Sequence, residues 1–127
     1  MSRRKNSLPE LSKSEYDILR ILWKRGRLNV REVHDDLLPS SGWAYTTTKT
    51  IMDRMAKKGL LSRKAFHGIY LYEPRITRPV GLARFVQFFA DRVLEMDTQS
   101  VVAMFAQSGA ISPEEIEQLE KLLEEDR

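Results

Sequence analysis

The chain has 127 residues, 42% of them hydrophobic, with a formal net charge of +3, which fits one domain or one domain with an appendage. It has no cysteine, which excludes disulfides, thiolate metal sites and thiol nucleophiles together and fits a reducing compartment. The opening, Met1-Ser2-Arg3-Arg4-Lys5-Asn6-Ser7-Leu8-Pro9, is basic without the apolar run of a signal peptide. No window approaches the roughly 20 apolar residues of a membrane span. A soluble, cytoplasmic protein with no membrane partner is expected.

Charge is spread unevenly. Residues 1–75 hold 16 Lys/Arg against 8 Asp/Glu, a net +8, and residues 76–127 hold 5 against 10, a net −5. A basic first part and an acidic second part are what a chain needs if only the first part meets a polyanion.

Taken in order, residues 1–10 read as a flexible basic arm. Ser12 with Glu15, and Asn29 with Glu32, each set a capping side chain three residues before a carboxylate, and an apolar neighbour outside each cap can close as a staple. They start helices over residues 13–25 and 30–38. Ile18, Leu19, Leu22 and Trp23 recur at helical spacing in the first, which Gly26 ends. Val33 and Leu37 are the buried face of the second, and Pro39 forbids its continuation. His34, with Asp35 and Asp36, reads as a solvated helix end rather than a metal cluster, because adjacent helical residues point in different directions.

A third helix over residues 45–58 carries one apolar stripe, with Thr48, Ile51, Met52 and Met55. Thr46, Lys49, Thr50, Asp53, Arg54 and Lys57 form the opposite stripe. Any surface helix is amphipathic, so a merely solvated face is the bland alternative. The identity of the polar residues shifts the balance. Thr is a modest helix former, and four Thr in five residues cost a bare surface helix stability. Short hydroxyls do let a helix sit close in the major groove, within reach of phosphates, base edges and thymine methyls. Asp53 is placed to orient Lys49 or Lys57 one turn away.

Residues 60–66 and 69–73 alternate and are β-inclined, with His67-Gly68 as a tight turn between them. They form a two-stranded wing that sets Arg63, Lys64 and His67 near the backbone of bound DNA. From Leu82 onward, Leu82, Val86, Phe89, Val93 and Met96 alternate in steps of four and three, a heptad seam within one helix over residues 78–96. Phe85, Phe88 and Leu94 lie outside that seam. A helix apolar on several sides must be covered on several sides, and a second copy of the chain is the economical cover. A short helix near residues 100–105 links to a last one. There Ile111-Ser112-Pro113-Glu114-Glu115-Ile116 combines a capping box, Pro at the first helical position and a staple. Ile116, Leu119, Leu122 and Leu123 are its apolar stripe. Glu117, Glu120, Glu124 and Glu125 are an acidic face that points away from DNA.

The expected fold is mainly α: a winged helix-turn-helix with a two-stranded wing (residues 11–75) and a C-terminal helical dimerisation region (residues 76–127). Residues 11–23, Gly42-Trp43 with the Thr-rich helix ending in Arg54-Met55-Ala56-Lys57-Lys58-Gly59-Leu60, Tyr70-Leu71-Tyr72 and the closing helix led by Ile111-Ser112-Pro113-Glu114-Glu115-Ile116 resemble the penicillinase-repressor family. The resemblance implies a homodimer that represses transcription at dyad-symmetric operators, often built on TACA/TGTA cores. It implies base or register contacts from Thr46, Thr47, Thr50, Lys49 and Arg54. Lys57, Lys58, Arg63 and Lys64 then grip phosphates, with His67 beside them. Leu82, Phe85, Val86, Phe89 and Val93 together with Ile116, Leu119 and Leu123 form the dimer interface.

Three departures from the family pattern stand out. Ala44-Tyr45 replaces the Ser-Pro that often opens the reading helix, so its cap is lost. The copper-responsive branch uses C-terminal Cys pairs, and none exist here, so no metal or other cofactor is expected. The antibiotic-responsive branch is cut between Asn and Phe. The matching position is Met104-Phe105, which argues against an inducing protease or its sensor acting by that cleavage.

An enzyme is not expected. His34 and His67 are the two histidines, no carboxylate pair suggests a pocket, and no Gly-rich phosphate loop exists. A winged helix serving as a protein-interaction module remains the alternative, since fold does not dictate function. RNA binding is a weaker third, for want of an aromatic stacking platform.

Overall fold

The computed structural model describes residues 11–109 and 111–125. The expected basic arm, with Arg3, Arg4 and Lys5, and the side chain of Glu125 lie outside the described residues. The described chain divides into two compact units. One is Lys13–Arg78; the other runs from Pro79 onward and includes Leu11 and Ser12.

In the first unit the elements run α1 (Lys13–Arg25), α2 (Val30–Ser41), α3 (Tyr45–Lys57), β1 (Leu61–Phe66) and β2 (Ile69–Pro74). The expected cap of α2 is formed: the Glu32 N–H donates to Asn29 Oδ1 at 2.8 Å and the Asn29 N–H donates to Glu32 Oε1 at 2.9 Å. The three helices pack on one another, β1 lies against α3, and β2 lies against α1 and α2. Ile18, Leu19, Leu22, Val33, Leu37, Met52, Met55, Leu60, Leu61 and Tyr72 fill the interior. Each large side chain so buried contributes about 1.5–3 kcal/mol. A Thr in a helix costs at most about 0.7 kcal/mol against Ala, so burial of Met52 and Met55 more than offsets the poor helix formers of α3.

The strands pair antiparallel from Leu61↔Pro74 to Phe66↔Ile69. The two-residue turn has His67 at φ 49° as well as Gly68 at φ 84°. Both turn residues therefore sit in the left-handed region, as the twist of a two-residue hairpin demands, and not Gly68 alone. A third short rung joins the wing to the chain before α2. The Leu28 N–H donates to Tyr72 O at 3.1 Å and the Tyr72 N–H donates to Leu28 O at 2.8 Å. The Trp23 indole N–H donates to Ile76 O at 2.9 Å, so Trp23 has a polar end and is half-buried rather than pure core.

Two expectations in this unit are corrected. Pro39 does not end α2, which runs on to Ser41 and closes where Gly42, at φ 69°, donates its N–H to Leu38 O. Proline strips one helical bond from the carbonyl four residues back. Here that residue is the solvent-exposed Asp35, whose carbonyl water can reach, so a last turn survives. His34 is not part of a solvated end either: it is buried, while Asp35 and Asp36 face out.

In the second unit α4 (Arg78–Phe88) leads into a π-helical segment, Phe89–Leu94, followed by α5 (Thr98–Ser108) and α6 (Pro113–Glu125). The expected single helix over residues 78–96 is thus broken. A π turn takes up extra residues, which throws the four-three alternation out of register after Phe89. Val93 and Met96, placed on the seam by spacing, are 52% and 41% exposed. Glu95 closes the segment in the left-handed conformation at φ 54°. The linking helix is longer than residues 100–105 because Asp97 caps it, accepting the Ser100 N–H at 2.7 Å. The expected cap of α6 forms, with the Glu115 N–H donating to Ser112 Oγ at 3.2 Å. α5 packs on α6 and on the π segment, around buried Val101, Val102, Leu119 and Leu123.

Candidate nucleic-acid interface

The Thr cluster of α3 is split by the helix. Thr46, Thr47 and Thr50 are exposed with Lys49, Arg54 and Lys57. Thr48 turns inward, fully buried, and its Oγ1 lies 3.2 Å from His34 Nδ1. One Thr therefore joins α3 to α2, and the other three stand along an outward stripe with the cations. No ion pair engages Arg54 or Lys57 among the described residues, so both cations are available to an external anion.

The start of α3 is built by aromatic packing in place of a cap. Ala44 makes no side-chain cap, as the Ala44-Tyr45 departure implied. The Tyr45 ring meets His34 edge-on at 5.8 Å, and the Arg31 guanidinium lies over the same ring at 4.3 Å. Arg31 is exposed and stands beside the first turn of the reading helix. Residue types alone did not single it out, because only the fold brings Arg31 and Tyr45 together.

Arg63, Lys64 and His67 are all exposed on the wing. Arg63 stacks over the Tyr70 ring at 4.3 Å, and His67 meets the Phe66 ring edge-on at 4.2 Å. Arg63 NH1 also donates to Asp53 Oδ1 at 3.3 Å. Asp53 accepts twice more: Tyr72 OH donates to the same Oδ1 at 2.8 Å, and Lys49 Nζ donates to Oδ2 at 3.0 Å. Of the two partners expected for Asp53, Lys49 is the one taken. Partial burial, the largest single influence, pushes the Asp53 carboxyl up. The hydrogen bonds from Lys49 and Tyr72 and the charges of Lys49 and Arg63 together outweigh it and hold the carboxyl below its usual range. The Tyr72 phenol is pushed up to about 12, first by burial and then by its bond to the Asp53 anion.

Lys58 does not join this surface. Its Nζ donates to Glu15 Oε2 at 2.5 Å, and the two side chains are only 33% and 12% exposed. It ties α3 to α1 instead of facing a phosphate.

The residues expected at a dimer interface are distributed unevenly. Leu82, Val86, Leu119 and Leu123 are already buried within one chain. Phe85, Phe89 and Ile116 are half-buried. Phe89 stacks on Phe85 at 6.0 Å and on Phe105 at 6.4 Å. Val93 is 52% exposed, as is Met96 at 41%, both of them expected on the seam, and Met104 on α5 is exposed at 47%. Among the described residues no group of three His, Asp or Glu converges to hold a metal. Nor is any helix among them long and apolar enough to cross a membrane.

A family model described as the penicillinase repressor matches residues 11–125. The penicillinase repressor of Bacillus licheniformis is 29% identical over 118 residues, which cover 93% of this chain and 92% of that protein. The methicillin resistance regulatory protein MecI of Staphylococcus aureus (strain N315) is 24% identical over 118 residues, covering 93% and 96%. Among solved structures, the DNA-binding domain of the repressor BlaI is 29% identical with a TM-score of 0.51, covering 57% of this chain and 88% of that one. The monomeric form of Bacillus licheniformis BlaI in complex with the blaP half-operator is 28% identical with a TM-score of 0.52, covering 58% and 90%.

Proposed function

Because the chain belongs to the penicillinase repressor family, we propose that it is a transcriptional repressor that binds a dyad-symmetric DNA operator as a homodimer. The observation that carries this reading is the outward stripe of Thr46, Thr47 and Thr50 with Lys49, Arg54 and Lys57 on α3. It lies in a unit similar to the BlaI domain whose structure was solved on its half-operator.

In this reading α3 enters the major groove. Thr46, Thr47, Lys49, Thr50 and Arg54 read base edges or fix register, where each good contact discriminates by about 1–3 kcal/mol. Lys57, Arg63, Lys64, His67 and Arg31 meet phosphates and supply affinity that does not depend on sequence. Residues 11–75 act as the DNA-binding domain and residues 76–127 as the dimerisation region. The latter presents Val93, Met96 and Met104 to a second copy, while Leu82, Val86, Leu119 and Leu123 are already buried within the single chain. Half-buried Phe85, Phe89 and Ile116 complete the contact. Two copies place their reading helices about 34 Å apart, one turn of duplex. Bound over a promoter, the pair blocks transcription without any catalytic step.

The Met104-Phe105 bond lies within α5. An inducing protease would need that helix to unwind first, which favours relief of repression by another route.

Selection of duplexes from a random pool by the full chain tests the proposal. A shared palindromic motif is expected, bound with a steep linear fall of log affinity against log salt. Flat salt dependence and no enriched motif would instead support a protein-interaction module.

A further inference from the structure

Asp53 is out of place for a surface that meets a polyanion. It is on the outward side of α3, one turn from Lys49 and Thr50, and its side chain is 28% exposed. A carboxylate there repels phosphate. Yet it is the most heavily bonded side chain of the interface. It holds Lys49 from its own helix, Arg63 from β1 and the Tyr72 hydroxyl from β2. The Tyr72 ring is 1% exposed and cannot swing, so its hydroxyl fixes the carboxylate in place. The two cations stay 54% and 40% exposed and keep their outer faces free for DNA. Arg63 is further pinned by its stack on Tyr70.

We propose that Asp53 is a specificity-determining positioning residue. It locks Lys49 of the reading helix and Arg63 of the wing at a fixed spacing, and it withholds part of their charge from DNA of the wrong sequence. The inference rests on the DNA-binding reading above and adds a residue that reading does not assign. Binding to any duplex depends mostly on how many phosphates are neutralised. An internal anion lowers that term by one charge. Binding to the right duplex depends also on side chains held in register, and there the same anion helps by ordering two flexible cations before DNA arrives. The two effects have opposite signs. A spacer that merely props the wing against α3 would not produce that pattern.

Asp53→Asn in the full chain keeps the shape and an acceptor for Tyr72 but removes the charge. Two probes suffice: the duplex that the wild-type chain enriches from a random pool, and a scrambled duplex of the same length and composition. The expected result is tighter binding to the scrambled duplex, with a log–log salt slope steeper by about 0.9 for the one added charge. Binding to the enriched duplex weakens or stays level, so the ratio between the two falls severalfold. Tyr72→Phe keeps the charge and frees the carboxylate. It should weaken binding to the enriched duplex and leave the salt slope unchanged, and it carries the test if Asp53→Asn fails to fold. A shift of both duplexes by the same factor, in either direction, overturns the proposal. A wild-type chain that does not tell the two duplexes apart is a separate result: it removes the DNA-reading premise, and this inference with it.

Discussion

Thr48 and His34 meet in the interior between α2 and α3, with Oγ1 and Nδ1 3.2 Å apart. The bond holds the angle of the helix-turn-helix and takes one hydroxyl of the Thr cluster out of the DNA face. Thr48→Ala leaves a buried ring nitrogen without its partner, which costs about 1–3 kcal/mol. Denaturant unfolding should show that loss for Thr48→Ala and a change within about 0.5 kcal/mol for Thr46→Ala, whose side chain is exposed. Equal losses would mean that the two residues do not face opposite ways.

Neighbouring lysines at the end of α3 should behave differently. Lys58 is held by Glu15, and Lys57 is exposed. Lys58→Met removes the cation paired with the mostly buried Glu15 carboxylate, so stability should fall by about 1–3 kcal/mol while the salt slope of DNA binding stays put. Lys57→Met should leave stability alone and flatten the slope by about 0.9. A flattened slope for Lys58→Met would return that residue to the DNA surface.

The Tyr72 phenol sets an alkaline limit. Its folded pKa, pushed up to about 12 from the ordinary 10.0, means that folding favours the neutral phenol. The stability it contributes is whole below the ordinary value and is lost as pH climbs from there towards about 12. Asp53 has the opposite sign: a depressed carboxyl contributes above its ordinary value and is lost as pH falls through its lowered one. Tyr72→Phe cannot ionise, so its unfolding free energy should decline less steeply on the alkaline side. Parallel alkaline limbs for the two proteins would show that Tyr72 does not favour the neutral form.

Val93 is the exposed apolar side chain of the π segment, and Val93→Asp should separate association from folding. A change at an exposed position is expected to cost the single chain within about 0.5 kcal/mol. Sedimentation equilibrium should show monomers that bind the enriched duplex weakly. A variant that stays dimeric would place the contact away from this face.

Much of the winged unit was legible because its periodicities and caps are local. Asn29 and Glu32 answer each other across three residues, and the wing alternates around a two-residue turn. The places where reading failed depend on partners distant in sequence. His34 is adjacent to two aspartates, but Thr48, fourteen residues on, decides its burial. Lys58 carries the same charge as Lys57, and only the approach of α1 separates their roles. Pro39 breaks a helix by rule, yet a solvated last turn tolerates the missing bond. Leu82 and Val86 of α4, four residues apart, are both buried, as their spacing suggests. The π segment that follows has no composition signal, so Val93 and Met96, placed by spacing on the same continuous helix, lie within or beyond a break in it. At the interface the Thr and Lys positions of α3 were visible from residue type, whereas Arg31 and the role of Tyr72 required the fold.

The central claim is that the outward threonines of α3 read sequence, and Thr50→Ala tests it most directly. Its affinity should be measured against the enriched and the scrambled duplex at matched salt. A loss of about 1–3 kcal/mol on the enriched duplex, with scrambled binding and salt slope unchanged, is the predicted result. Equal losses on both duplexes, or no loss on either, would contradict it.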